Sequence, residues 1–351
     1  MQLVSKVCLE KAVLNFMCRS HSYERHVNHV VKAIHGKKKS PSRKLYEYYR
    51  KTWIDLELEQ KINPPSDLLK LCWRKPEFQA GGLLYNLLKE SLQFCQIALA
   101  RKEFIRGDYE YLIKLIVIFL GGTVEDFRFR QPRDTSDCRW MVDLIYNLEM
   151  VMNSSKLEQV DPPTLEKLVL TSEYVAFFHG MFFLQASVAS KAPNNDLRAI
   201  KIATALINDE KLSKRFGKIG EELLTSVQRH DWYLRPQLVV LALADDNVES
   251  SEKVDILEAL LKFEVPEEFQ KGLVPALSKI SHNTKLSELV NQESYYLFTN
   301  TALHMTKENL NEMLLELKEG KEDIYLSKFV DYVHDLQVKF IKEIEGRVHK
   351  I

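Results

Sequence analysis

The chain of 351 residues has no stretch that is both apolar and long enough to cross a bilayer, which takes about 20 residues. It also has no N-terminal segment combining a basic flank, an apolar run and a small-residue cleavage site. These absences lead us to expect an intracellular protein of the nucleus or cytoplasm that is neither secreted nor membrane-bound. Cysteine is scarce: Cys8, Cys18, Cys72, Cys95 and Cys138 are odd in number, and no two stand at metal-ligand spacing, which favours free thiols over disulfides. The common enzyme signatures are missing too. There is no Gly-x-x-x-x-Gly-Lys-Ser/Thr to cradle phosphates, no Gly-x-Ser-x-Gly elbow, no His-Glu-x-x-His helix and no Gly-x-Gly-x-x-Gly. No repeat of fixed period is present, which argues against a solenoid. Formal net charge is zero, yet residues 1–75 carry 16 Lys and Arg against 7 Asp and Glu. That basic segment is a candidate contact for nucleic acid or an acidic partner, set against a simpler reading as solvated, lysine-rich helix faces.

What is present is the composition of a globular protein, 45% hydrophobic and 28% charged. The segment Asp108–Gly122 stands at its centre. Between Leu112 and Leu120 only Lys114 is polar, so other helices must cover nearly every face. Asp108 is expected to cap the start, and Gly121–Gly122 to end the helix in a left-handed turn. Apolar stripes of period 3.6 predict further helices at 4–13, 21–34, 45–56, 82–102, 137–153, 163–190, 195–208, 210–229, 233–244, 251–263, 266–280, 284–300, 307–318 and 324–348. Leu14–Cys18 alternates and reads as one short strand. The gap Thr123–Thr135, with Phe127 and Phe129 alternating with arginines, is expected to be an extended loop packed on the bundle. The fold class is therefore mostly α, a multi-helix bundle with at most one strand. Asn63–Ser66, with its Pro-Pro pair, marks a boundary, and we divide the chain into 1–62, 66–300 and 301–351.

The densest group of potential metal ligands is Cys18, His21, His26, His29 and His35. Cys18-x-x-His21 has finger-like spacing, and His26 and His29 lie one helical turn apart, but a zinc finger needs a second pair beyond a longer loop. Core packing for Cys18 and a hydrogen bond at the helix start for His21 are the favoured reading. Tyr174, Phe177, Phe178, Phe182 and Phe183, with His179 among them, sit at helical spacing and read as core rather than cofactor box. If the basic segment meets phosphate, Lys37, Lys38, Lys39 and Arg43 are its contacts, in a sequence-independent and salt-sensitive way. No cofactor is expected.

Four stretches, taken in order, resemble transposon-derived relatives of hAT-type transposases. They are Leu9–Lys11 through Cys18–Glu24, Asp108–Gly122, Arg139–Met141 with Ile145–Leu148, and Ala192–Leu197 through Trp232–Leu234 to Leu241–Asp246. The resemblance implies an RNase H-like catalytic core interrupted by a long helical insertion, with two Asp and one Glu holding divalent metal. The segments matching the two aspartates would precede this sequence, and the surroundings of Glu308, Glu312 and Glu316 match no catalytic helix, so no residue carries over as catalytic. We accordingly expect a non-enzymatic, transposase-derived helical protein corresponding mainly to the insertion, acting through a protein partner or self-association. The alternative is a DNA-processing subunit, or a nucleic-acid-binding protein using the basic segment.

Overall fold

The computed structural model describes residues 19–37, 43–56, 78–102, 104, 106–132, 141–180, 185, 188–230, 236–262 and 305–348. Among these residues there are twelve α-helices and no strand. They are α1 Arg19–His35, α2 Lys44–Thr52, α3 Leu83–Arg101, α4 Gly107–Phe119, α5 Met141–Met152, α6 Pro162–Tyr174, α7 Ala192–Asn208, α8 Glu210–His230, α9 Pro236–Ala244, α10 Ser250–Lys262, α11 Lys307–Lys318 and α12 Glu322–Val348. The expected helices 4–13, 266–280 and 284–300, and the expected strand Leu14–Cys18, lie outside the described residues.

Two compact units emerge. The larger comprises Cys18–Ser187 with Ala199–His230; the other comprises Met1–Met17, Val188–Arg198 and Asp231–Ile351. In the larger unit α1 and α2 share one apolar core with α3 to α6 and α8.

In the larger unit α4 is indeed the buried centre. Tyr111 to Phe119 are all buried except Lys114, which pairs with Glu110 one turn earlier at 2.5 Å. The helix ends as a left-handed turn: Gly121 has φ +84°, its N–H bonds the Ile118 carbonyl at 3.0 Å, and the Gly122 N–H bonds that of Val117 at 2.8 Å. Its start differs from expectation. Arg106 holds the N-cap position, and Asp108, one residue inside the helix, binds the Arg106 guanidinium instead of a backbone N–H.

α3 and α5 flank α4, and α6 lies against α5 and α1. α6 begins where Asp161 accepts the Thr164 N–H at 2.9 Å, with Pro162 and Pro163 in the first turn, where their missing N–H groups cost nothing. One long helix over 163–190 does not form. The α-helix gives way at Val175–His179 to a π turn, and Ala189–Lys191 is a 3-10 turn. In the π turn the Ala176 carbonyl accepts from the Ser91 hydroxyl at 2.5 Å, and Phe177 meets Phe216 edge-to-face at 5.5 Å. α7 starts at Ala192, earlier than expected, since Pro193 is tolerated in a first helical turn.

In the other unit α10 packs on α11, and α11 on α12. Thr306 and Asn309 form a reciprocal capping box at the start of α11. The Tyr325 hydroxyl donates to the Leu243 carbonyl at 2.8 Å, tying α12 to α9.

Candidate functional site

α5 decides where the polar chemistry sits. Every residue of Met141–Met152 is buried, yet the helix carries Asp143, Asn147 and Glu149. A polar group in such a place must find partners inside the protein. Asp143 and Asn147, one turn apart, both meet α2: the Tyr46 hydroxyl donates to Asp143 Oδ1 at 2.9 Å and accepts from Asn147 Nδ2 at 2.9 Å. Arg43 Nε stands 3.6 Å from the same Oδ1. Burial and the Asp143 charge raise the Tyr46 hydroxyl well above its usual range, so it stays a proton donor.

Glu149 points the other way, toward α4. The Tyr111 hydroxyl donates to Glu149 Oε1 and itself accepts the Arg130 N–H at 2.9 Å. The carboxyl is 1% exposed, and burial raises it from the usual 4.5 to about 8, against the smaller opposing pull of Tyr111 and Tyr49. At neutral pH it is therefore mostly protonated. Tyr111 occupies Oε1, and Oε2 is buried with no hydrogen-bond partner among the described residues. Tyr49 approaches the same carboxyl, but its hydroxyl stays short of hydrogen-bond geometry.

Glu149 lines a cavity of about 330 Å³ bounded by the start of α4, by α5 and by the loop through Arg130–Pro132. Val142, Ile145 and Tyr146 give it an apolar wall. Two arginines stand at its mouth. Arg106 is neutralised by Asp108 in a two-pronged pair at 3.0 and 2.5 Å. Arg130 lies over the Tyr111 ring at 4.8 Å and donates one N–H to the Gly107 carbonyl at 3.0 Å, but it forms no ion pair among the described residues. The loop carrying it packs as expected: Phe127 stacks on Tyr111 at 6.0 Å, and Phe129 is buried beside it.

The residues singled out from sequence go elsewhere. His26 and His29 share one face of α1 and both meet α8, with His26 Nδ1 2.8 Å from Ser226 Oγ and His29 Nδ1 3.1 Å from Glu222 Oε2. His21 lies in the first turn of α1, and Cys18 falls outside the described residues. His35, at the other end of α1, meets Thr171 Oγ1 at 2.8 Å and is held at about 4 by burial and then by Arg43. No group of three potential metal ligands converges among the described residues. Of the four basic residues, Lys37 is exposed and Lys38 and Lys39 lie outside the described set. Arg43 turns inward instead of toward solvent, donating to the Gly36 and His35 carbonyls at 3.1 and 3.4 Å. It thereby satisfies the C-terminal carbonyls of α1 as well as facing Asp143. His179, inside the aromatic cluster, meets Tyr23 edge-on at 6.0 Å and stays neutral, lowered by burial to about 3. Cys95 is a buried free thiol pushed up to about 12 by burial.

Comparison with protein-family models, curated proteins and solved structures finds no match to this chain. The site stands on its own geometry.

Sequence reasoning missed Glu149, Tyr111 and Arg130 as a group. The signal was there in α5: three polar residues within a helix otherwise apolar on all sides require interior partners, and Asp143 and Asn147 at one-turn spacing leave Glu149 facing a second one.

Proposed function

We propose that the protein is a non-catalytic helical binding module of transposase-derived type, and that it takes up its partner at the cavity between α4, α5 and the Arg130 loop. One observation carries this reading. A fully buried carboxyl, Glu149, lines that cavity together with Tyr111, whose hydroxyl hydrogen bond it accepts, while apolar side chains form the wall. Concave apolar sites with a few convergent polar groups are where proteins hold small ligands or single side chains of a partner. The transposase ancestry rests on the sequence resemblance, and the helical class agrees with it.

Methyl NMR tests the reading. Fragments drawn from neutral, anionic and cationic sets are added to protein labelled at isoleucine and valine, and saturable shifts of Val142 and Ile145 are expected from at least one set. If no fragment moves either residue, the cavity is not a binding site. A second measurement addresses catalysis: purified protein with magnesium or manganese is expected neither to nick nor to join DNA, and activity abolished by replacing one acidic residue would overturn the non-catalytic reading.

A second reading, sequence-independent contact with nucleic acid, is favoured by the exposure of Lys37 just beyond α1. Because Arg43 is engaged internally, Lys37, Lys38 and Lys39 would carry it. Affinity for duplex DNA should then fall steeply with salt, and the triple Ala variant should flatten that slope by roughly three charges. An unchanged slope removes the contact.

A further inference from the structure

Resting on the second reading above, sequence-independent contact with nucleic acid, we infer that the contact surface is the exposed face shared by α1 and α8, and that it fits the phosphate backbone of a duplex. Arg25 and Lys32 from α1, with Lys211, Lys218 and Arg229 from α8, would meet the phosphates.

The two helices belong to the same compact unit and pack on each other. Two side-chain contacts fix their register. His26 meets Ser226 at 2.8 Å and His29 meets Glu222 at 3.1 Å, so numbers that rise along α1 fall along α8, and the helices run antiparallel. Residues spaced by four, seven or eleven lie in one row on a helix surface. Arg25 and Lys32 therefore share the row of His29, and Lys211, Lys218 and Arg229 share the row of Glu222. In this register Lys32 stands across from Lys218, and Arg25 faces the last turns of α8. Lys37 follows just beyond the end of α1.

All five side chains are exposed, and none forms an ion pair among the described residues. Elsewhere cations are matched, as in Lys114 with Glu110, Lys191 with Glu252, Arg215 with Glu173 and Lys328 with Glu316. Here the carboxylate in the row, Glu222, is engaged by His29. Lys214, one turn from both Lys211 and Lys218, adds a further cation, 3.9 Å from Glu210. Like charges at such steps repel each other, and a polyanion laid across them relieves the repulsion.

The rest of the face selects the polyanion. No exposed large apolar side chain lies on α1 or α8. A protein partner is held at a core of apolar and aromatic anchors, and a membrane surface takes up the apolar side of a helix; this face offers neither. Single strands are held by stacking bases on aromatic rings, but Tyr23 of α1 and Phe216 of α8 are buried. What the face does offer is a wet, positively charged surface, the character of a contact with duplex backbone. At 1.5 Å per residue the row from Lys211 to Arg229 runs about 27 Å, which matches about eight base pairs at 3.4 Å each.

The test uses the full chain and a short fluorescent DNA duplex, with anisotropy read as salt is raised. Single-stranded DNA, polyglutamate and phosphatidylserine vesicles serve as competitors. The duplex is expected to bind saturably at low salt, and each competitor to displace it at least tenfold less effectively per unit charge. The quadruple variant Lys32→Ala, Lys211→Ala, Lys218→Ala and Arg229→Ala is expected to weaken binding at least tenfold and to flatten the slope of log affinity against log salt by about three to four. Lys89→Ala with Arg101→Ala, exposed cations of α3, is the control and should stay within twofold. All six positions are exposed, so circular dichroism should be unchanged. If the quadruple variant binds as the unaltered protein does, while the Lys37, Lys38 and Lys39 triple variant loses salt dependence, the α1–α8 assignment falls and the reading beneath it stands. A competitor as effective as the duplex overturns the duplex assignment. If no duplex binds at low salt, both fall together.

Discussion

Glu149 and the interior histidines pull the pH dependence of stability in opposite directions. Glu149 is raised in the fold to about 8 from a usual 4.5, so its contribution is complete below pH 4.5 and disappears as pH climbs toward 8. His179 and His35 are lowered to about 3 and about 4 from 6.5. They stay neutral in the fold and take up protons on unfolding, so their contribution is complete above pH 6.5 and is lost as pH falls. Each group supplies a slope of about 1.4 kcal/mol per pH unit inside its own window. From pH 4.5 to 6.5 two histidines outweigh one carboxyl, and above 6.5 only Glu149 acts. Urea midpoints are therefore expected to peak near pH 6.5 and decline toward pH 8, and Glu149→Gln should abolish that decline. An equal decline in the variant would show that Glu149 is ionised in the native protein. A second residue-scale expectation concerns Asp143, buried against Tyr46, Asn147 and Arg43. Asp143→Ala leaves the Arg43 guanidinium and the Tyr46 hydroxyl without their shared acceptor and should cost about 3–5 kcal/mol, read from denaturant unfolding. At this scale the sequence was only partly legible. The interior placement of Tyr174 and His179 followed from helical spacing. The inward turn of Arg43 did not, because a residue in a basic run announces its charge, not the direction of its side chain.

At the scale of elements, periodicity located most of what forms. The stripe over 307–318 matches α11 residue for residue, α3 and α10 differ from expectation by one residue at each end, and α8 by one at its C-terminal end. The misplacements have two causes. A 3.6-residue stripe of aromatic residues over 174–178 persists through the π turn, since one extra residue in a turn shifts the face without emptying it of apolar groups. Proline misled at Pro193, where it opens a helix instead of closing one. Packing between elements gives a paired prediction in α8. A Cβ on Gly220 would lie 2.8 Å from the Ala203 carbonyl oxygen and 2.9 Å from Ile207 on α7, whereas one on Gly217 would meet nothing closer than 3.6 Å. The backbone of α7 cannot retreat without disturbing its own ladder. Gly220→Ala is expected to lower stability by about 1–3 kcal/mol through overpacking, and Gly217→Ala to raise it by about 0.5–1 kcal/mol through helix propensity. Thermal unfolding of the two variants side by side checks this, and equal shifts of the same sign would mean that α7 and α8 are further apart than described.

At the scale of the whole molecule the chain builds two apolar cores. One gathers Phe216, Phe177 and Phe78 around α4, with Phe216 meeting Phe78 edge-on at 6.1 Å. The other gathers Phe329, Tyr325 and Met313 among α9 to α12. Each unit collects segments far apart in the chain, and composition at a junction says nothing of what pairs across long separations. Removing a buried phenylalanine ring costs about 3–5 kcal/mol where the cavity cannot collapse. If each core holds up its own unit, that loss should be read locally in native-state hydrogen exchange. Phe216→Ala is expected to accelerate exchange of the amides of 112–118 in α4 by at least tenfold and leave those of 310–317 in α11 nearly unchanged. Phe329→Ala should do the reverse, since its ring is stacked on Tyr325 at 6.4 Å within the second core. Acceleration of both sets by either substitution would show that the two cores melt as one cooperative body.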